Sequence, residues 1–232
     1  MEVIDVQGDV FLKDYIKGAN FIFSTGEKGL DININNINAK KELLIDHFSL
    51  KDIGYIRQCH SDTVGNYNGE VIIGDGLIGH ESLVALGVFT ADCVPILICD
   101  IKKQAVAAIH SGWKGTYNNI VVKAIEKLIK DEGSLLENII IYIGPHIKSC
   151  CYEVSEDLKR NFINKGFSST NFDNRNLSLS SCIKDSLLNI GVNKDNIYEA
   201  QYCTRCSKDI KFNSYRRDGE HSGRNYSFVF FS

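Results

Sequence analysis

The sequence predicts a mixed α/β fold in one domain, and three observations predict it. Short apolar or β-branched runs bounded by glycine or charge recur along the chain, among them VIDV, FIFST, AVAAIH, NIIIYIGPH and NYSFVFF. Segments of helical period stand between them, and TYNNIVVKAIEKLIKDEG is the clearest. No linker, repeat or low-complexity tract breaks the sequence into parts, so residues 1–232 read as a single domain. With 44% hydrophobic and 10% aromatic side chains, the chain has ample material for a packed core.

Each element follows from a local pattern. VIDV and FIFST predict strands within the first 35 residues, NININNINAK a polar loop, and KELLIDHF a helix over 39–48 with Leu43, Leu44 and Phe48 at helical spacing. GYIRQCH predicts a strand ending at His60. VII and SLVALGVF predict buried strands joined by a glycine-rich loop, GDGLIGH. TADCVPILICD runs from a loop straight into a buried strand, AVAAIH is a strand ending at His110, and SGWKG is a turn. In the helix that follows, Ile120, Val121, Ala124, Ile125, Leu128 and Ile129 share one face, and Gly133 stops it. NIIIYIGPH is a strand stopped by Gly144-Pro145, helical patterns follow near 155–165 and 176–190, and NIYEAQYC and NYSFVFF are late strands.

Composition narrows the function. There are 26 Lys+Arg against 29 Asp+Glu, a formal net charge of −3, without the basic excess of a dedicated nucleic-acid binder. No apolar run reaches the roughly 18–20 residues needed to span a bilayer. The N-terminal residues show neither a basic nor an apolar signal region, so the expected location is the cytoplasm. The eight cysteines are then expected to be reduced thiols, most of them small buried hydrophobes.

Three predicted strands begin or end at a metal-capable residue: His60 after YIRQC, Cys93 before VPILI, and His110 after AVAAI. Residues at strand ends can converge on one edge of a sheet, where ligand sites form. Two histidines and a cysteine are a three-ligand set, which with zinc leaves a fourth position open for water or substrate and lowers the pKa of bound water to about 7. Two readings stand beside it. One is a metal-free pair with Cys93 as nucleophile and a histidine as base. The other is blue copper, which usually adds an axial methionine, whereas the only methionine here is Met1.

A second concentration of chemistry lies at Tyr215-Arg216-Arg217-Asp218-Gly219 and Ser222-Gly223-Arg224, where forked guanidinium groups suit phosphate or carboxylate. Cys203-Thr-Arg-Cys206 is a lone CxxC with no second pair beside it in sequence, and it does not open a helix of thioredoxin type. The vicinal Cys150-Cys151 is expected to shape a turn, and His146 to line a cleft. Phosphate-loop, dinucleotide-binding, HExxH and zinc-deaminase signatures are all missing.

Six ordered motifs nevertheless resemble one family. RQCHSDTV resembles its QVHG-type motif, DGLIG its DGLIT, TADCVPIL its ADCxPxL, and AIHSGWKG its AHAGWRG. YIGPHIKSCCYEV resembles the GPxIxxCCYEV block, and CTRCSKDIKFNSYRRDGEHSGR the CT…FFSYRRDG…TGR block. This is the laccase-domain or "polyphenol oxidase" family, also described as purine nucleoside phosphorylases and peptidoglycan editing factors. The resemblance runs from about residue 54 to the C-terminus. It implies a YfiH-like α/β fold, a β-sandwich core flanked by helices, and zinc held by His60, Cys93 and His110. It also implies phosphorolysis of adenosine, inosine, guanosine and methylthioadenosine, and deamination of adenosine. At motif level, Cys93, His110, Asp75 and Asp92 are the catalytic or supporting residues, and Lys114, Arg216, Arg217 and Arg224 the phosphate candidates. The sequence departs from the pattern at Lys114, where the family has arginine, and at Ser61 and Ser111. Cys59 and Cys206 are additions. The early Asn-Arg pair is not evident, which leaves Arg57 as the nearest substitute.

Three other functions remain open. They are a hydrolase editing peptidoglycan precursors that carry serine in place of alanine, a copper-dependent phenol oxidase, and a non-enzymatic metal-binding domain. The last predicts a fourth protein ligand such as His146 or Cys150. The six histidines are too few for the full copper complement of a multicopper oxidase.

Overall fold

The computed structural model describes all of residues 1–232. In chain order it contains β1 (Glu2–Val6), β2 (Asp9–Ile16), β3 (Ala19–Ser24), α1 (Ile37–Phe48), β4 (Asp52–Tyr55), β5 (Val64–Asn66), β6 (Gly76–Gly79), β7 (Val84–Thr90), β8 (Val94–Asp100) and β9 (Ala105–Ser111). There follow α2 (Trp113–Tyr117), α3 (Ile120–Glu132), β10 (Ile139–Ile143), α4 (Glu156–Asn164), β11 (Phe172–Asp173), β12 (Asn176–Leu177), α5 (Leu179–Asn189), β13 (Ile197–Glu199), α6 (Tyr215–Asp218) and β14 (Asn225–Phe231). Two six-stranded sheets form, one in the order β1-β2-β3-β14-β7-β4 and the other β13-β10-β8-β9-β6-β5, with β11 and β12 as a separate hairpin.

The strand sequences explain the layering. Successive side chains of a strand point to opposite faces, and the central strands here are buried at every position. In β8, Ile96 and Ile98 face one core while Leu97 and Cys99 face another; β10 divides Ile139, Ile141 and Ile143 from Ile140 and Tyr142 in the same way. One set meets Phe21, Phe23, Leu86, Val88 and Val229 of the opposite sheet and makes the sandwich interior. The other lies under α3 and α5, against Val121, Ile125, Leu128, Ile183 and Leu187. On the far side of the first sheet, Phe228 and Phe230 of β14 pack with Ile37 and Leu44 of α1. The result is helix, sheet, sheet, helix: a β-sandwich flanked by helices. No helix is long and apolar enough to cross a membrane.

Several expectations need correction. The strand β2 was not predicted, because DVFLKDYI is half polar; Lys13, Asp14 and Tyr15 face outward or lie at its edge while Phe11 and Leu12 are fully buried. The strand expected to reach His60 stops at Tyr55. Beyond it only Arg57 makes a bridge, to Ile73, and His60 takes a left-handed φ of 58° that no strand contains. VII forms no strand, whereas Gly76–Gly79 of the expected loop is β6, pairing with β5 and β9. SGWKG is not a plain turn, since Trp113–Tyr117 is the short helix α2. In α3 the predicted face is buried except at Ile129, which is 40% exposed. Gly133 ends that helix as expected, in the left-handed conformation that costs glycine nothing.

Candidate functional site

The strand register brings the three predicted ligands together. β8 and β9 are antiparallel with Val94 opposite Ser111 and Pro95 opposite His110, so Cys93 lies beside the end of β9. β6 pairs with β9 on the other side, with Gly76 opposite Ile109, and the backbone N–H of His110 donates to the Asp75 carbonyl at 2.7 Å. His60 arrives on the loop after β4. The donor atoms of His60, Cys93 and His110 lie within 4.8 Å of one another. The two imidazole rings meet edge to face, 4.8 Å between centroids.

Asp75 organises this cluster from beneath. It is fully buried, and its Oδ1 accepts from His110 Nδ1 at 2.8 Å. The backbone N–H groups of Cys59, His60 and Ser61 all converge on the same carboxylate, Ser61 at 2.6 Å, and the Ser61 hydroxyl adds a bond at 2.7 Å. Ser61, a departure from the family motif, therefore has a task. Burial alone would raise the Asp75 pKa, but the bonds from His110 and Ser61 outweigh it and hold the carboxyl down at about 2. The carboxylate in turn fixes His110 with Nδ1 protonated, leaving Nε2 as its ligand atom.

The same balance governs Cys93. Burial pushes its thiol up, while His110 and His60 beside it bring it down to about 6. Burial pushes His110 down, while the Cys93 thiolate and Asp75 carry it up to about 9. Each group thus favours the charged form of the other, and a cysteine whose thiol is lowered this way is a ready ligand or nucleophile. Two imidazoles and a thiolate are a donor set that fits zinc. Gly112 makes room for it, since a Cβ there would stand 2.9 Å from Cys93 Sγ and 3.5 Å from His60 Cδ2.

Asp92 is held differently. It sits at φ 87°, a costly conformation for a non-glycine residue, and both its oxygens are engaged. Oδ1 accepts from the Thr204 hydroxyl at 2.6 Å and Oδ2 from the Arg216 N–H at 2.6 Å, while its carbonyl accepts from Ile147 N at 3.0 Å. Asp92 is a junction that ties the cysteine loop to the arginine segment.

His60, Cys93 and His110 open into a cavity of about 760 Å³, within the range of small-molecule sites. Its wall includes Arg57, Arg216 and Arg224, with Phe89, Tyr152 and Tyr215 as aromatic surface. Arg216 lies over the Tyr152 ring at 5.1 Å and donates to the Glu153 carbonyl at 3.1 Å. Two phosphate candidates lie elsewhere. Arg217 turns inward to the carbonyls of Phe212, Thr204 and Arg205 and pairs with Asp218. Lys114 is exposed on α2 and covers its neighbour Trp113.

Sequence reading missed Gln58, whose side-chain amide exchanges two hydrogen bonds with the Phe89 backbone at 2.7 and 2.8 Å and continues the β4–β7 pairing where β4 itself has ended. It also missed Tyr152 and Asn33 as cavity residues, and named Tyr215 only as part of the arginine segment. An aromatic next to a cysteine pair gives no signal of its own. His146 and Cys150, the residues proposed to close the ligand set, stand apart from it. His146 is buried with Nδ1 donating to the Gly144 carbonyl at 2.8 Å, and Cys150 lies among the other cysteines.

Residues 7–232 match the model of the multi-copper polyphenol oxidoreductase laccase family. The chain belongs to this family. Within the laccase-like family, it is 43% identical over 213 residues to a protein of Clostridium acetobutylicum named purine nucleoside phosphorylase, covering 89% of each chain. It is 28% identical over 243 residues to a protein of an unknown prokaryotic organism named adenosine deaminase, covering 97% of this chain and 91% of the other. Among solved structures it resembles the hypothetical protein YfiH of Bacillus licheniformis, with a TM-score of 0.83, 25% identity, and 92% and 93% of the two chains covered. The laccase-like fold and a metal-capable Cys/His cluster are therefore common ground between sequence and structure.

Proposed function

We propose that this protein is a zinc-dependent purine nucleoside enzyme that splits adenosine, inosine, guanosine and methylthioadenosine with phosphate and also deaminates adenosine. One observation carries the reading: His60, Cys93 and His110 line the same cavity as three arginines and three aromatic rings. A purine nucleoside needs a flat apolar slot, and phosphate needs forked cationic donors. The names of the relatives from Clostridium acetobutylicum and the unknown prokaryote point the same way.

The residues divide the work. Phe89, Tyr152 and Tyr215 offer faces for the purine. Arg57, Arg216 and Arg224 hold phosphate, whose oxygen forms the new bond to C1′ as the C1′–N9 bond breaks and its electron pair leaves with the base. Asp75 keeps the ring of His110 oriented, and Asp92 keeps Arg216 on the cavity wall. His60, Cys93 and His110 would hold the metal in their deprotonated forms. Zinc bound there would supply a Lewis acid and a source of hydroxide near neutral pH. Lys114 and Arg217 have no part in this scheme, because neither lines the cavity.

The test is product chromatography after incubating zinc-loaded protein with adenosine, with and without phosphate. Adenine formed only with phosphate supports phosphorolysis, and inosine formed without it supports deamination. If neither product forms, the nucleoside reading is wrong, and Ser-containing peptidoglycan precursor becomes the next substrate to assay.

A further inference from the structure

A second cluster of metal-binding side chains lies outside the cavity. The vicinal pair Cys150-Cys151 and the CxxC pair Cys203/Cys206 come from segments far apart in sequence, yet their four Sγ atoms lie within 4.8 Å of one another. Cys150 Sγ is 3.8 Å from Cys151 Sγ and 3.6 Å from Cys206 Sγ. At a zinc–sulfur distance of about 2.3 Å, the edge of a regular sulfur tetrahedron is about 3.8 Å. A disulfide would need about 2.0 Å. Pairwise contact of two thiols says little, but four converging at this spacing form the donor set of a closed structural zinc site.

The backbone is arranged to hold the four in place. A parallel bridge joins His146 to Cys203, and Thr204 N donates to the His146 carbonyl at 3.1 Å, so the two cysteine segments are stitched side by side. The CxxC loop closes on itself through Cys203 N to the Ser207 hydroxyl at 2.9 Å and Ser207 N to the Cys203 carbonyl at 3.0 Å. Lys148 N points at Cys203 Sγ from 3.5 Å, the kind of outer-shell donor that supports a metal thiolate. Cys203 is buried while Cys150 and Cys206 reach the surface, which gives an ion a way in. Arg205 and Lys208 are within two residues of Cys206 in the sequence, whereas the Lys148 ammonium is already paired with Glu199.

We propose that Cys150, Cys151, Cys203 and Cys206 bind one zinc ion as a structural site, separate from the three-ligand site in the cavity. All four coordination positions are filled by protein, so the site binds no substrate. Its effect is architectural. The first segment also carries Ile147 and Tyr152 of the cavity wall, and the second carries Thr204, whose hydroxyl anchors Asp92. Fixing the two segments to each other fixes that wall.

The test is zinc analysis by mass spectrometry on protein purified under reducing conditions with zinc present and dialysed, comparing wild type with Cys93→Ser, Cys206→Ser and the double variant. Two zinc ions per chain in wild type, one in each single variant and none in the double variant is the expected result. Cobalt substitution of the Cys93→Ser variant, which leaves all four cysteines intact, should give the absorption of tetrahedral cobalt with thiolate charge transfer. Cobalt bound without these bands, zinc lost completely in Cys93→Ser, iron in place of zinc, or a disulfide among the four cysteines would each overturn the proposal. The zinc count and the cobalt spectrum require no catalytic activity, so they stand or fall separately from the nucleoside reading.

Discussion

Asp75 and His110 are joined twice, once through their side chains at 2.8 Å and once through the backbone, His110 N to Asp75 O at 2.7 Å. The pairing of β6 with β9 thus sets both where His110 sits and which way its ring faces. Because the same carboxylate gathers the N–H groups of Cys59, His60 and Ser61, one buried side chain positions two of the three proposed ligands.

Asp75→Asn should therefore act on metal binding and activity together. An amide cannot accept all of these bonds, and its NH₂ must face donors that already point inward. The expected loss is roughly 10–100-fold in zinc affinity or in turnover, checked by competition with a chromogenic chelator alongside product assay. Unchanged affinity in a folded variant would refute the positioning role.

Gly112→Ala tests space rather than charge. The new methyl group would stand 2.9 Å from Cys93 Sγ, closer than real contacts allow. Gly112 has an ordinary φ of −77°, so backbone strain is not at issue. The variant should fold normally by circular dichroism while losing about tenfold or more in zinc affinity, and bound cobalt should show a weakened thiolate band.

Arg216 and Arg217 are adjacent but predict opposite phenotypes. Arg216 faces the cavity, and replacing it with alanine removes charge-assisted bonds worth about 1.5–3 kcal/mol, or roughly a 10–100-fold rise in KM for phosphate. Arg217 satisfies backbone carbonyls under the loop, so Arg217→Ala should lower stability by roughly 1–2 kcal/mol, discounted for its partial exposure. KM for phosphate should hardly move. Denaturant midpoints and phosphate titrations of both variants separate the two effects.

These contrasts mark what the sequence could reveal. Continuous apolar runs, as in Val94–Cys99 of β8 and all of β10, announce burial on two faces, and the period of α3 names its inner side. Cys93 and His110 stood out because one directly precedes such a run and the other directly follows one, AVAAI of β9. His60 joins the cluster, but its backbone was not legible, since GYIRQCH has strand composition while the chain turns left-handed at His60, where its N–H meets Asp75. Arg216 and Arg217 are indistinguishable in sequence because direction within one helical turn depends on what packs beneath. The four-cysteine cluster was invisible for a similar reason. Cys150 and Cys206 are 56 residues apart, and tertiary pairing such as the bridge between His146 and Cys203 brings them together.

Glu199 provides the clearest pH dependence of stability. It ends β13 and is 12% exposed, paired with Lys148 through one oxygen and Lys184 through the other, with His146 Nε2 4.0 Å away. Burial by itself would raise its pKa, but the two lysines hold the carboxyl well below the usual carboxylate range. The folded state therefore keeps Glu199 ionised at a pH where the unfolded chain has taken up a proton. Its contribution is fully present above the unfolded value of about 4.3 and is lost progressively as pH falls below it. Glu199→Gln leaves Lys148, itself largely buried, without its counter-charge, which should cost roughly 3 kcal/mol at neutral pH. The difference in unfolding free energy between wild type and variant should be flat from pH 6 to 8 and shrink steadily below about 4.3. A difference that stays constant down to pH 3 would mean that the ion pairs are not what Glu199 contributes.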